Sequence, residues 1–159
     1  MNQAEVKETV RAVVEECLRP SEDMTLFAAQ NLARLVRQRA REIGVKAVVA
    51  ISNKGAHPVL VECEDDALIG SYDIALNKAY TVVALKMSTK ELAKLAKPDG
   101  SLYGIQFTNN GKIVVFGGGE LLLNKKGKII GGVGISGGTE EQDTALAKYA
   151  KEIFEKGIN

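Results

Sequence analysis

The sequence holds a single histidine, His57, and only two cysteines, Cys17 and Cys63. One histidine excludes a histidine-based multidentate metal cluster. The cysteines lie far apart and form no C-x-x-C pair, so they read as free, buried thiols of a reducing cytoplasm rather than a disulfide or metal site. Charge of one sign is equally scarce. A formal net charge of +1 argues against broad capture of nucleic acid or an anionic membrane surface. No apolar run approaches the roughly 18 residues a membrane-spanning helix needs. Glu5, Lys7, Glu8 and Arg11 break up any signal-peptide core at the N-terminus. What remains is a 159-residue cytoplasmic chain of one main domain, with 45% hydrophobic and 26% charged residues.

The hydrophobic period assigns the elements in order. Residues 3–18 place Val6, Val10, Val13, Val14 and Cys17 at helical spacing. Pro20-Ser21-Glu22-Asp23 interrupts that pattern and offers a cap for a second helix, Thr25 to Ile43, with Leu32, Leu35, Val36, Ala40 and Ile43 inward. Its Arg34, Arg37, Arg39 and Arg41 read as a solvated face with local ion pairs, supplied by the upstream Glu15, Glu16, Glu22 and Asp23, rather than as a nucleic-acid surface. The period then changes. Lys46–Ser52 and Pro58–Cys63 read as a β-hairpin around Asn53–His57. Ser71–Met87 reads as a central helix, and Lys90–Ala96 as a short one capped by Ser88. Strands are expected at Gly104–Thr108, Lys112–Phe116, Glu120–Leu123 and Lys128–Ser136, followed by a helix from Thr139 to Lys156. Strands joined mostly by hairpins imply an α+β fold: an antiparallel sheet of about five strands flanked by helices on both faces, not a doubly wound nucleotide fold.

Glycine is concentrated in the second half of the chain. Gly117-Gly118-Gly119 and Gly131-Gly132-Val133-Gly134-Ile135-Ser136-Gly137-Gly138 are its two dense runs. Glycine lets backbone approach backbone or ligand closely. Ser136–Thr139 ahead of a helix resembles an anion-binding helix start. Thr139-Glu140-Glu141-Gln142 is also a capping box, and Glu140, Glu141 and Asp143 would repel a phosphate, so capping is favoured.

Four stretches together resemble the GlcG/HbpS-like family, which includes the C-terminal domain of the corrinoid-pathway protein PduO. They are Ser71–Thr81 (SYDIALNKAYT), Leu102–Gln106 (LYGIQ), Val115–Gly119 (VFGGG) and Gly131–Asp143 (GGVGISGGTEEQD). Their order and spacing cover roughly residues 25–156. The resemblance implies a profilin-like fold, assembly into homo-oligomers such as an octamer, and, in some members, haem binding. Two departures stand out: Glu120-Leu121 occupy the place of the proline usual after the triple glycine, and the N-terminal helices hold no histidine.

The cofactor-binding candidates are therefore His57, Lys78, Tyr103, Gly117, Gly118, Gly119, Gly137 and Gly138. His57 is either a solvated turn residue or an axial haem ligand at an oligomer interface. Lys78 is either a surface lysine or a point charge neutralising a carboxylate or a haem propionate. Tyr72, Tyr80 and Tyr103 either line an apolar pocket or pack in the core.

The first twenty residues lie outside that resemblance and look like the encapsulation peptides that tether enzymes inside bacterial microcompartments. The expected divisions are residues 1–20 as an amphipathic helix and 21–159 as the GlcG/HbpS-like domain. Residues 3–18 would dock shell or cargo proteins by their apolar stripe, or fold back onto their own domain or a neighbouring subunit. The leading functional reading is an oligomeric binding protein for haem or a similar cofactor, associated with a compartment for diol or ethanolamine degradation. An enzyme acting on a small carboxylate or aldehyde ranks below it, since no nucleophile–base pair or metal set is evident. A structural assembly factor without ligand is the third reading.

Overall fold

The computed structural model describes residues 2–18 and 22–157. Arg19, Pro20 and Ser21 of the expected linker lie outside the described residues. So do the side chains of Val13 and residues 15–18, and with them the expectations for Cys17 and for ion pairs through Glu15 and Glu16.

The first helix, α1, spans Gln3–Leu18, and its Val6, Val10 and Val14 face solvent. The second, α2, spans Leu26–Glu42. Its N-cap is Thr25, whose hydroxyl accepts from the Ala28 N–H at 3.1 Å. Asp23 serves another purpose: its Oδ1 accepts from the Met24 and Lys54 N–H groups, tying the entry of α2 to the first hairpin. The inward stripe is Ala29, Leu32, Ala33, Val36 and Ala40. Leu35 is half-buried, and Ile43, expected inward, is the exposed C-cap residue, because the helix ends before its stripe returns to the core.

Among the described residues the sheet has four strands, where about five were expected. They are β1 (Val48–Asn53), β2 (Pro58–Cys63), β3 (Gly119–Leu123) and β4 (Ile129–Ser136), ordered β2-β1-β4-β3 and antiparallel throughout. Gly104–Thr108 and Lys112–Phe116 are not strands. The first holds a 3-10 turn at Ile105–Phe107, entered through Gly104 at φ +90°. A second turn covers Asn109–Gly111, where three successive residues adopt positive φ. That geometry turns the chain too sharply for a ladder. The Val114 N–H instead donates to the Thr81 hydroxyl, so a side chain replaces the strand partner.

Helices cover both faces. Strand alternation sends Val49 and Ile51 of β1 to one face, where α2 and the last helix, α5 (Glu140–Glu155), build the main core with Leu122, Val133 and Ile135. Val48 and Ala50 point to the other face, against the central helix α3 (Ser71–Leu85), whose Ala75 and Ala79 complete a smaller core. This is the α/β/α layering that the sequence implied. The short α4 (Thr89–Ala96) has a full capping box between Ser88 and Glu91, and α5 has another between Thr139 and Gln142.

Glycine in β4 sets the distance between layers. A Cβ at Gly134 would run into the Ala75 carbonyl oxygen, and one at Gly132 would lie 2.8 Å from the Ala79 carbonyl. Without side chains there, α3 rests directly on the strand. Three arginines of α2 pair with acidic residues further along the chain: Arg37 with Glu62 at 2.8 Å and Glu64 at 3.2 Å, Arg41 with Glu64 at 3.0 Å, and Arg39 with Glu42 at 2.8 Å. No helix among the described residues is long and apolar enough to cross a membrane.

Candidate functional site

Helical spacing puts Lys78 on the same inward face of α3 as Ala75, Ala79 and Val82, a position normally reserved for apolar residues. The strand beneath makes it tolerable. Gly134 leaves room for the lysine stem, whose Cβ would lie 2.9 Å from any Cβ added at that glycine. The ammonium then reaches the far end of β4 and donates to the Ile135 carbonyl at 2.7 Å and to Asp143 Oδ2 at 3.0 Å. The Phe116 ring covers it, with Nζ 4.9 Å from the centroid. Lys78 is fully buried, and the Asp143 side chain is 5% exposed.

Asp143, in the first turns of α5, completes the arrangement. Its Oδ1 accepts from the Gly138 N–H at 3.0 Å, so one carboxylate joins α3, α5 and the second glycine loop. Burial pushes the Lys78 amine below its ordinary pKa, opposed by the charge and hydrogen bond of Asp143 and by the charge of Glu140. Burial likewise pushes the Asp143 carboxyl up, opposed by Lys78 and by the N–H groups of Gly138 and Gly137. Each partner is what permits the other to remain charged out of water.

The sequence-singled glycines gather around this pair. The Gly117 N–H donates to Glu140 Oε1 at 2.8 Å, and the Gly119 N–H to Thr89 Oγ1 at 2.9 Å. At Gly118, with φ +114°, a Cβ would stand 2.5 Å from Lys78 Nζ. At Gly137 a Cβ would collide with the Lys46 carbonyl, and at Gly138 it would lie 2.7 Å from Gln142 Oε1. The Thr144 hydroxyl is buried without a hydrogen-bond partner among the described residues. It lies against Gly117, where an added Cβ would overlap it. Both loops are therefore packed close to protein, and Lys78 is neither a surface lysine nor open to solvent. What the constellation does chemically is lock: it pins α3, β4, the 116–119 loop and α5 through one ion pair.

His57 and Tyr103 lie elsewhere. Val48 pairs with Ser136 and Asn53 with Gly131, so β1 carries the chain from the glycine-loop end of the sheet to the hairpin end, about 16 Å by strand rise. His57 stands at that far end, exposed, with its backbone N–H donating to Asn53 Oδ1 at 3.0 Å. Tyr103 is 67% exposed in the loop after α4. Tyr72 is exposed and Tyr80 half-buried. Cys63, expected buried, is a free, exposed thiol, because it closes β2 at the edge of the sheet. No group of three or more His, Cys, Asp or Glu side chains could hold a metal ion among the described residues. Sequence reasoning missed Phe116 as a cover for Lys78, and took Asp143 only as a helix-dipole residue. The available signal was Lys78 itself, a charge within an apolar helical stripe, which demands a buried countercharge.

Comparison with known proteins agrees with this architecture. The model of the HbpS-like family, described as "Haem degrading protein HbpS-like", matches residues 24–152. A 15.0 kDa protein of the dhaT-dhaS intergenic region of Citrobacter freundii is 46% identical over 132 residues, 82% of this chain and 92% of that protein. Among solved structures, Klebsiella pneumoniae protein ORFY superposes with a TM-score of 0.81 at 40% identity, covering 86% of this chain and 93% of its own. The PduOC:haem complex follows with a TM-score of 0.78 at 37% identity, covering 82% and 94%.

Proposed function

This chain belongs to the HbpS-like family, and on that premise we propose that it is a haem-binding protein that works as a homo-oligomer. The observation that carries the reading is the likeness to the PduOC:haem complex across nearly all of that structure. The chain's own residues favour a haem held at the surface over one enclosed in a subunit. The cavity beside α3 is about 190 Å³, below the roughly 300 Å³ at which pockets for drug-sized ligands begin. Several side chains able to ligate iron are, by contrast, exposed: His57 foremost, with Cys63, Tyr72 and Tyr103 also in reach of solvent.

His57 is the axial donor in this account, and Tyr103 offers an exposed aromatic face for the macrocycle. Both are exposed, and a haem held by them would be covered by a second copy in the homo-oligomer. Lys78 and the five glycines act behind the surface by fixing the loops, not by touching the cofactor. Haem itself would supply the redox-active iron. The test is a hemin titration of the full chain, followed at the Soret band together with the mass in solution.

The N-terminal helix is the second part of the proposal. Val6, Val10 and Val14 form one stripe along α1 and all face solvent, which suits an encapsulation peptide docking into a microcompartment shell or onto another cargo protein. Residues 21–159 then form the functional domain. Removing residues 2–19 should abolish co-localisation with shells while leaving the domain folded. Unfolding or dissociation on that deletion would make α1 a structural element instead.

A further inference from the structure

A second site lies at the hairpin end of the sheet, away from the Lys78–Asp143 lock. The first hairpin and α3 diverge there around a cavity of about 190 Å³. Ala56, Pro58, Leu76 and Ala79 supply apolar walls, Ile51 borders the cavity from β1 with its side chain in the core on the opposite face, and Ser52, Asn77, Tyr80 and Lys112 supply the polar groups. The volume decides the size of guest, since an apolar cavity of about 150 Å³ accommodates benzene. A body of roughly four to six carbons fills such a space, and a haem does not enter it.

The polar groups decide the head. Ser52 is committed, its hydroxyl donating to the Ala79 carbonyl at 3.1 Å. The other three are not. The Tyr80 hydroxyl accepts from Asn109 Nδ2 at 3.1 Å and keeps its own proton to donate. The Asn77 side-chain amide takes no partner among the described residues. Lys112 Nζ stands 5.4 Å from the Tyr80 ring centroid and pairs with no carboxylate among the described residues. Lys112 is fixed at this place by its backbone, whose carbonyl accepts from the Thr81 hydroxyl at 3.2 Å. A cation and two neutral donors thus line one apolar slot, and no acidic side chain lines it.

We propose that this cavity is a binding site for a short-chain aliphatic monocarboxylate, its chain against Leu76 and Pro58 and its carboxylate on Lys112, Tyr80 and Asn77. The site is independent of haem binding and stands or falls without it. One negative head on an apolar body is what the lining recognises: a dicarboxylate would bury a second charge against Leu76 and Pro58, and an alcohol would leave Lys112 without its counterion.

The experiment titrates the full-length, ¹⁵N-labelled protein with hexanoate, using hexan-1-ol as the uncharged control. Hexanoate should shift the amides of Ala56, Asn77, Tyr80 and Lys112 saturably, and hexan-1-ol should bind at least about tenfold more weakly, the loss of one charge-assisted contact. Lys112→Gln should raise the hexanoate Kd about tenfold, and Leu76→Phe, which fills the slot, should abolish the shifts. Should Leu76→Phe not fold, Asn77→Asp, at a half-buried position, places a repelling charge at the head and should weaken hexanoate but not hexan-1-ol. Shifts scattered over the surface without saturation would overturn the proposal. So would equal affinity for the two ligands, or unchanged binding by Lys112→Gln.

Discussion

Lys78 Nζ and Asp143 Oδ2 stand 3.0 Å apart in a space that leaves the lysine unexposed and the aspartate 5% exposed. Sixty-five residues separate them in sequence, and their contact joins the helix on one face of the sheet to the helix on the other. A buried pair of this kind stabilises weakly as a pair, but it is expensive to break by halves.

Lys78→Met and Asp143→Leu should therefore each cost about 3–5 kcal/mol, because each leaves an uncompensated buried charge. The double variant should be far less destabilised than the two losses summed. Urea unfolding of the four proteins gives the coupling energy directly, and strict additivity would contradict the pairing.

The β4 glycines make a sharper steric prediction. Gly134→Ala drives a methyl into the Ala75 carbonyl, so α3 must lift from the sheet, a loss of about 1–3 kcal/mol or more. Gly70→Ala is the contrast: an added Cβ there meets nothing within 4 Å and φ is −64°. Its thermal midpoint should stay near that of the parent.

Acid stability should depend on Glu64. Hydrogen bonding from Arg41, and then from Arg37, holds its carboxyl below the usual 4.5 against the opposing effect of burial. The unfolded chain binds that proton at higher pH than the folded one, so this contribution is complete above 4.5 and is lost as pH falls through the lower folded value. Glu64→Gln should lower the urea midpoint at neutral pH and flatten its decline on the acid side. Parallel acid profiles for the two proteins would remove Glu64 from the account.

The helix caps provide a local test. Ser88→Ala and Thr139→Ala each remove one hydroxyl acceptor of a capping box, and should each cost about 1 kcal/mol. Thr139→Ala should also loosen the Gly137–Gly138 loop, visible as faster amide exchange at Gly138.

The elements that were legible in the sequence are those whose signals are local. Ser88 as a cap, and Thr139 with Gln142 as a capping box, mark helix starts within four residues, and α4 and α5 begin there. The β-branched residues of Lys46–Ser52 and Pro58–Cys63 likewise identified the first hairpin, whose strands run Val48–Asn53 and Pro58–Cys63. The expected strands at Gly104–Thr108 and Lys112–Phe116 failed because apolar residues such as Ile105 and Val114 do not reveal whether a ladder partner exists. Thr81, thirty-three residues earlier, takes the Val114 N–H instead. The glycine runs mark where backbone meets backbone closely, yet spacing alone could not separate a ligand cradle from helix-on-strand packing. Only the Ala75 and Ala79 carbonyls pressed against β4 make that distinction. The cavity at Leu76 and Lys112 was invisible for the same reason, since three separate segments build its walls.

The central claim is a haem held at the surface by His57, and the most direct measurement is the hemin titration carried out on the full chain and on His57→Ala in parallel. The account predicts a Soret band that saturates at a defined ratio of haem to subunit and is lost in the variant, with circular dichroism unchanged because His57 is exposed at a hairpin. A featureless titration of a well-formed oligomer, or a Soret band indifferent to His57→Ala, would contradict it.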